Sequence, residues 1–195
     1  MTNVPLSGSL IDSPVGPLLL LAAGGKLTGL YTGGRAPARV QAALDAAAGT
    51  AGTGEAASPA DAAVLAETAR QLAEYFDGAR QAFDLPLALA GTAFQRAVWA
   101  ALLRIGYGQT VSYGELADQI GRPTAARAVG MANGSNPVSI IVPCHRVVGA
   151  DGSLTGYGGG LGNKRRLLDL ERAGRGLVTW GTPRHPGPVD SWYAS

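Results

Sequence analysis

Pro143-Cys144-His145-Arg146-Val147 follows an apolar run, Val138-Ser139-Ile140-Ile141-Val142, and contains the single cysteine of a 195-residue chain. Such a run, closed by a proline that fixes φ and removes a backbone donor, predicts an extended, largely buried segment that delivers the thiol at a defined point. A lone cysteine is most often a small buried hydrophobe. Its neighbours weigh against that reading. Only the thiolate is a nucleophile, and a thiol pKa of about 8.5 is lowered by a nearby imidazole or cation, which His145 and Arg146 offer. One cysteine beside one histidine is a candidate nucleophile.

Working outward, Asn133-Gly134-Ser135-Asn136-Pro137 is loop chemistry, since asparagine before proline readily bonds its own neighbouring backbone. Before it, Ser112-Tyr113-Gly114-Glu115 is a capping box that starts a short helix with Leu116, Ala117 and Ile120 inward. Gly121-Arg122-Pro123 is a turn, and Thr124 to Ala132 is predicted as a second helix with Ala125, Val129 and Ala132 inward. Two short helices joined by a tight glycine turn form a helix-turn-helix. Thr92-Ala93-Phe94-Gln95 is another capping box, and Phe94, Val98, Leu102 and Ile105 recur at helical spacing, giving an amphipathic helix over Thr92 to Leu103. After the cysteine come a turn at Gly149-Ala150-Asp151-Gly152, a glycine-rich loop from Thr155 to Gly160 around Tyr157, and a helix from Asn163 to Arg172. That helix carries Glu171 and the basic run Lys164-Arg165-Arg166.

The front half is scaffold. Leu6 to Thr32 reads as an antiparallel meander with turns at Ser13-Pro14-Val15-Gly16 and Gly24-Gly25. A short helix is expected over Val40 to Ala48, then a linker over Gly49 to Gly54. Ser58-Pro59-Ala60-Asp61 starts a helix whose Val64, Leu65, Leu72, Tyr75 and Phe76 share a face, and Phe83 to Leu89 should be extended. Beyond Gly174, closely spaced prolines and glycines predict a disordered tail. The resulting division is a scaffold lobe over 1–90, a second lobe over 91–175, and the tail over 176–195.

With 46% hydrophobic and 15% charged residues the chain can bury a core. One cysteine and two histidines exclude a disulfide framework and a cysteine- or histidine-based metal cage, so no metal or cofactor is expected. No signal peptide or membrane-length apolar run is present, which predicts a cytoplasmic protein with no membrane partner. Net charge is only +2, but residues 1–90 hold 5 Lys and Arg against 8 Asp and Glu, while residues 91–175 hold 10 against 5. Positive charge gathered in one lobe fits a polyanion partner, although a solvated basic face would look the same.

Pro143 to Val147, with Gly91-Thr92-Ala93-Phe94-Gln95, Val98-Trp99, Val111-Ser112-Tyr113-Gly114, Ala126-Arg127-Ala128-Val129-Gly130, Gly134-Ser135-Asn136-Pro137 and Thr155-Gly156-Tyr157-Gly158-Gly159, resembles the O6-alkylguanine-DNA alkyltransferases in order and spacing. The likeness is close over residues 91 to 173 and loose before them. It implies an RNase-H-like α/β N-terminal lobe, a small antiparallel sheet plus helices, followed by a mostly α C-terminal lobe with a winged-helix-like helix-turn-helix. The implied activity is that of a methylated-DNA-protein-cysteine S-methyltransferase. It would act as a monomer on double-stranded DNA from the minor groove, flip O6-alkylguanine from the stack, and transfer the alkyl group once and irreversibly to Cys144. The resemblance further implies that Glu171 orients His145, which takes the thiol proton through a water, and that Tyr113 gives its hydroxyl to N3 of the leaving guanine. Arg127 would fill the vacated stack. Ser112, Thr124, Ala126, Gly130 and Ala132 would line the DNA face. Asn136 would be the hinge before the nucleophile. Val147, Tyr157 and Gly158 would hold the flipped base, with the Cys144 carbonyl. One departure is Ile105-Gly106-Tyr107-Gly108, where the family usually has Ile-Pro-Tyr-Gly. Competing readings are a non-catalytic lesion binder of the alkyltransferase-like type, which would lack the cysteine, a helix-turn-helix transcription factor, and a cysteine hydrolase.

Overall fold

The computed structural model describes residues 6–33, 36–38, 40–41 and 58–174. The expected linker over 49–54 and the tail over 176–195 lie outside them, as does nearly all of the expected helix over 40–48. The meander forms as read: β1 (Ser7–Ile11), β2 (Leu18–Ala23) and β3 (Lys26–Thr32) make an antiparallel sheet in that order. Gly24 and Gly25 both take positive φ, 60° and 71°, which lets the second hairpin close in two residues. Leu18 to Ala22 are buried throughout, so the central strand is covered on both faces. Helix α1 (Pro59–Phe76) lies on the sheet, capped by Ser58, whose side chain accepts from the Asp61 amide. The Asp61 carboxylate in turn accepts from the Gly25 amide (2.7 Å) and the Ser7 hydroxyl (3.2 Å), fastening the helix start to both hairpin ends.

The edge of β3 carries the link between the lobes. The Leu27 amide donates to Pro86 O and Leu27 O accepts from the Ala88 amide, so part of the 83–89 segment runs beside it. Three residues on, the Leu30 amide donates to Pro137 O and the Ser139 amide to Leu30 O, at 2.8 and 3.1 Å. The loop before the cysteine is therefore hydrogen-bonded to the N-terminal sheet. One apolar core crosses the join, from Leu20, Leu30 and Phe76 to Trp99, Val138 and Leu167.

In the second half α2 (Ala93–Leu102) starts at the Thr92 capping box, and α3 (Tyr113–Gln119) at the Ser112 box, both reciprocal as expected. Helix α4 (Ala126–Gly134) starts two residues later than read: the Ala125 amide turns back to Arg122 O, so Thr124 belongs to the turn. Short β4 (Val111–Ser112) and β5 (Val147–Val148) pair in parallel, and α5 (Leu161–Ala173) closes the lobe. The Trp99 indole donates to Ala132 O at 2.9 Å, pinning α4 to α2.

The expectation that fails is the extended segment. After its single bridge at Val138 the chain coils: the Val142 amide returns to Val138 O and the Cys144 amide to Val142 O. Ile140, buried and β-branched, takes φ 71°, the one positive φ outside glycine among the described residues. Five residues between two prolines, four of them apolar and β-branched, look like a strand by composition. What folds them back is Asn136, whose amide group donates to Val142 O (2.8 Å) while its oxygen accepts from the Val138 amide (3.0 Å).

Candidate active site

Cys144, His145 and Arg146 form a single 3₁₀ turn after Pro143. Three residues per turn send consecutive side chains about 120° apart. Cys144 thus faces a cleft of about 310 Å³, lined also by Asn136, Ser139, Tyr157 and Gly158 and, from the N-terminal lobe, by Tyr31 and Thr32. His145 and Arg146 point the other way, to Glu171 on α5.

Glu171 is buried, and its carboxylate is crowded with donors. Oε1 meets His145 Nε2 (2.9 Å), Tyr75 Oη (2.8 Å) and Arg146 Nη2 (2.8 Å); Oε2 accepts from Arg146 Nε (2.9 Å) and the Gly108 amide (3.1 Å). Burial alone would raise the carboxyl pKa, but the His145 and Arg146 hydrogen bonds overcome it and hold it at about 2. The Gly108 bond shows that the loop lacking the family proline is nonetheless fastened.

An ionised Glu171 fixes the His145 tautomer, with the proton on Nε2 and the lone pair on Nδ1. Nδ1 is buried and has no protein partner. Burial lowers the imidazole pKa, and the Glu171 interactions only partly offset it, so the ring is neutral near pH 7. It is a base whose accepting atom has no partner in the protein.

The thiol behaves differently from its sequence reading. Burial comes first and raises the Cys144 pKa; hydrogen bonds from Asn136 and Ser139 and the charge of Lys164 pull it back only in part. Arg146 does not help, because its guanidinium is spent on Glu171 and on Ile105 O (2.6 Å). Cys144 therefore rests as a thiol, 4% exposed, and needs a base.

The cation beside it is Lys164, read from sequence as part of a basic run. It is fully buried, and Nζ donates to Val147 O and Thr155 O at 2.6 Å each. Burial lowers its pKa and the cysteine opposes that shift. The signal was available: Lys164, Leu167, Leu168 and Glu171 fall at i, i+3, i+4 and i+7 on one helix face.

Two family models cover almost all of the described chain: the ribonuclease-like domain of 6-O-methylguanine DNA methyltransferase matches residues 7–89 and its DNA-binding domain residues 93–173. The chain belongs to this methyltransferase family. A methylated-DNA–protein-cysteine methyltransferase of Mycobacterium tuberculosis is 51% identical over 165 residues, 84% of this chain and 90% of its own. The corresponding Mycobacterium leprae protein is 49% identical, over 83% and 90% of the two chains. Among solved structures, the M. tuberculosis protein in complex with DNA superposes with a TM-score of 0.71 at 48% identity, covering 86% of this chain and 93% of that one.

Other residues that the family likeness singled out sit as follows. Tyr113 opens α3, and its hydroxyl donates to Thr155 O at 3.3 Å, beside the glycine-rich loop. The Tyr157 hydroxyl is buried without a partner, and Gly158 lies open, with nothing within 4 Å of where a Cβ would stand. Of the carbonyls assigned to a base, Val147 O already accepts from Lys164. Cys144 O takes both the Val147 amide and Asn133 Nδ2 (3.3 Å). Asn133, which reads in sequence as ordinary loop chemistry, lies in the last turn of α4 and steadies the Cys144 backbone.

On α4, Arg127 is exposed, Ala126 half-buried, and Gly130 packs against the Tyr113 ring, 3.6 Å from its Cβ position. Thr124 is exposed, and the Ser112 hydroxyl is engaged as the α3 cap. Ala132 is a correction to the DNA-facing set. Its side chain is in the core, and its carbonyl accepts from Trp99 and from the Ser135 hydroxyl, because the Trp99 indole needs a buried acceptor. The exposed residue of that turn is Met131, 76% accessible and one helical turn from Arg127. Among the described residues no helix is long and apolar enough to cross a membrane.

Proposed function

We propose that the chain repairs O6-alkylguanine in duplex DNA by moving the alkyl group to Cys144 Sγ, once per molecule. The observation that carries this is a buried thiol lining a cleft, followed in sequence by a neutral imidazole whose buried Nδ1 has no partner and whose Nε2 is held by an ionised carboxylate. His145 Nδ1 takes the thiol proton, directly or through one water, and the imidazolium is stabilised by Glu171. The thiolate, with Lys164 beside it, attacks the alkyl carbon: the S–C bond forms as the C–O6 bond breaks, and the electron pair leaves on guanine. Donation from the Tyr113 hydroxyl to N3 of the base eases that departure.

Reaching O6 requires the nucleotide to leave the stack, at a cost of a few kcal/mol. Arg127, exposed at the start of α4, is suited to fill the gap, with Met131 beside it. Thr124, Ala126 and the Ser112 cap complete a face that meets the minor groove, and Asn136 holds the loop between this face and the nucleophile. Tyr157, Gly158 and Val147 border the base site. Residues 1–90 act as scaffold and 91–175 as the DNA-binding and transfer lobe of a cytoplasmic monomer. Cys144 also separates this reading from that of a non-catalytic lesion binder.

The test is to incubate the protein with a duplex containing one O6-methylguanine and map the adduct by peptide mass. A methyl on the Cys144 peptide, with guanine restored in the DNA and no transfer by Cys144→Ala, is the expected result. A methyl elsewhere, or binding without transfer, overturns it.

A further inference from the structure

One donor on the Glu171 carboxylate comes from the other lobe. Tyr75, in the last turn of α1, is completely buried and donates its hydroxyl to Oε1 at 2.8 Å, across 96 residues of sequence. Its ring is wedged among Phe76, Phe83 and Tyr107, with centroids 5.4, 5.3 and 6.1 Å away, so the hydroxyl has little freedom to point elsewhere. Taking Cys144 alkylation as read, we propose that Tyr75 is a positioning residue for the transfer: a phenol supplied by the N-terminal lobe that orients Glu171 and limits its pull on His145, keeping the imidazole neutral and ready to accept the thiol proton.

Tyr75 Oη and His145 Nε2 meet the same oxygen, and each donor draws on the same negative charge. With the hydroxyl gone, more of that charge acts on His145 and favours its protonated form. Burial, then the Glu171 charge, push the Tyr75 phenol well above its ordinary pKa, so it serves only as a donor. The other groups facing this pair are Arg146 from the 3₁₀ turn, Tyr107 from the loop before β4, and Lys164 and Cys144 on the cleft side. Tyr75→Phe keeps the ring that packs against Tyr107 and removes only the hydroxyl. Arg146 supplies opposite charge, whereas Tyr75 supplies a neutral bond from a fixed direction.

Free O6-benzylguanine isolates the chemical step from duplex binding. Its single-turnover rate is measured against pH for the full chain, for Tyr75→Phe, and for a chain carrying a ring-fluorinated tyrosine at position 75, whose more acidic phenol is a stronger donor. His145 must be neutral to act, so its protonation sets the acid limb of the profile. Tyr75→Phe should move that limb up by about half a pH unit or more, and the fluorinated residue should move it down. Coincident acid limbs for the parent and Tyr75→Phe overturn the proposal, even if the rate falls uniformly and the protein melts lower, since that is what a packing defect alone would do. If Tyr75→Phe does not fold, the fluorinated chain decides, and no downward movement overturns the proposal. A parent protein that transfers no benzyl group refutes the reading of Cys144 itself, a distinct failure.

Discussion

Glu171 and Arg127 belong to the same lobe and have opposite surroundings. The carboxylate is buried, with donors from α1, the 3₁₀ turn and the loop at Gly108. The guanidinium stands in solvent and makes no hydrogen bond among the described residues. The interior pair of His145 and Glu171 is already hydrogen-bonded in the free protein, at 2.9 Å. The face around Arg127 and Met131 is left without partners, which suits a surface whose order is completed by what it binds. Cys144 lies on the boundary, with its backbone held by the interior and its sulfur at the cleft.

If the interior is over-determined, breaking it should cost most. Arg146→Ala leaves a buried carboxylate without its main counter-charge, and stability should fall by about 3–5 kcal/mol in denaturant titration. The same carboxylate predicts a pH dependence. Its folded pKa of about 2 lies below the ordinary carboxyl value, so its contribution is complete above that ordinary value and is lost as pH falls towards 2. Glu171→Gln should flatten this part of the stability profile; an unchanged acid transition would detach Glu171 from it.

A smaller effect is expected at the boundary. Adding an alkyl group to a sulfur packed beside the 3₁₀ turn should lower stability by about 1–3 kcal/mol, seen as a lower melting temperature of the reacted protein. On the exposed face, Arg127→Ala should change stability by less than about 0.5 kcal/mol. It should nonetheless slow reaction with alkylated duplex while leaving the rate with free O6-benzylguanine unchanged. Equal losses on both substrates would remove Arg127 from extrusion of the base.

Sequence made the elements with local causes legible. The capping boxes at Thr92 and Ser112, the Ser58 cap and the Gly24-Gly25 turn each act within four residues, and each is found where it was read. The nucleophile and its histidine were legible from type and adjacency. What was not legible depends on tertiary placement. The run Val138 to Val142 has strand composition and coils because Asn136 clamps it. Arg146 looked like a cation for the thiol and is turned to Glu171, while Lys164, in a run of exposed-looking charges, takes that place. Tyr75 scanned as one more apolar-face aromatic, because nothing near it in sequence announces an acceptor 96 residues away. Ala132 is buried, as its helical spacing indicated and against the DNA-facing place the family likeness gave it, and Met131 is the exposed residue of that turn.

The central claim is that Cys144 is the final resting place of the alkyl group. A thioether has no ionisable proton and no good leaving group, and His145 and Glu171 are built to accept one thiol proton rather than to activate water against carbon. The direct measurement is a titration of the protein with excess duplex containing radiolabelled O6-methylguanine, counting methyl groups transferred per protein molecule. The account predicts a plateau at one. Continued transfer beyond one, with the sulfur regenerated, would contradict it.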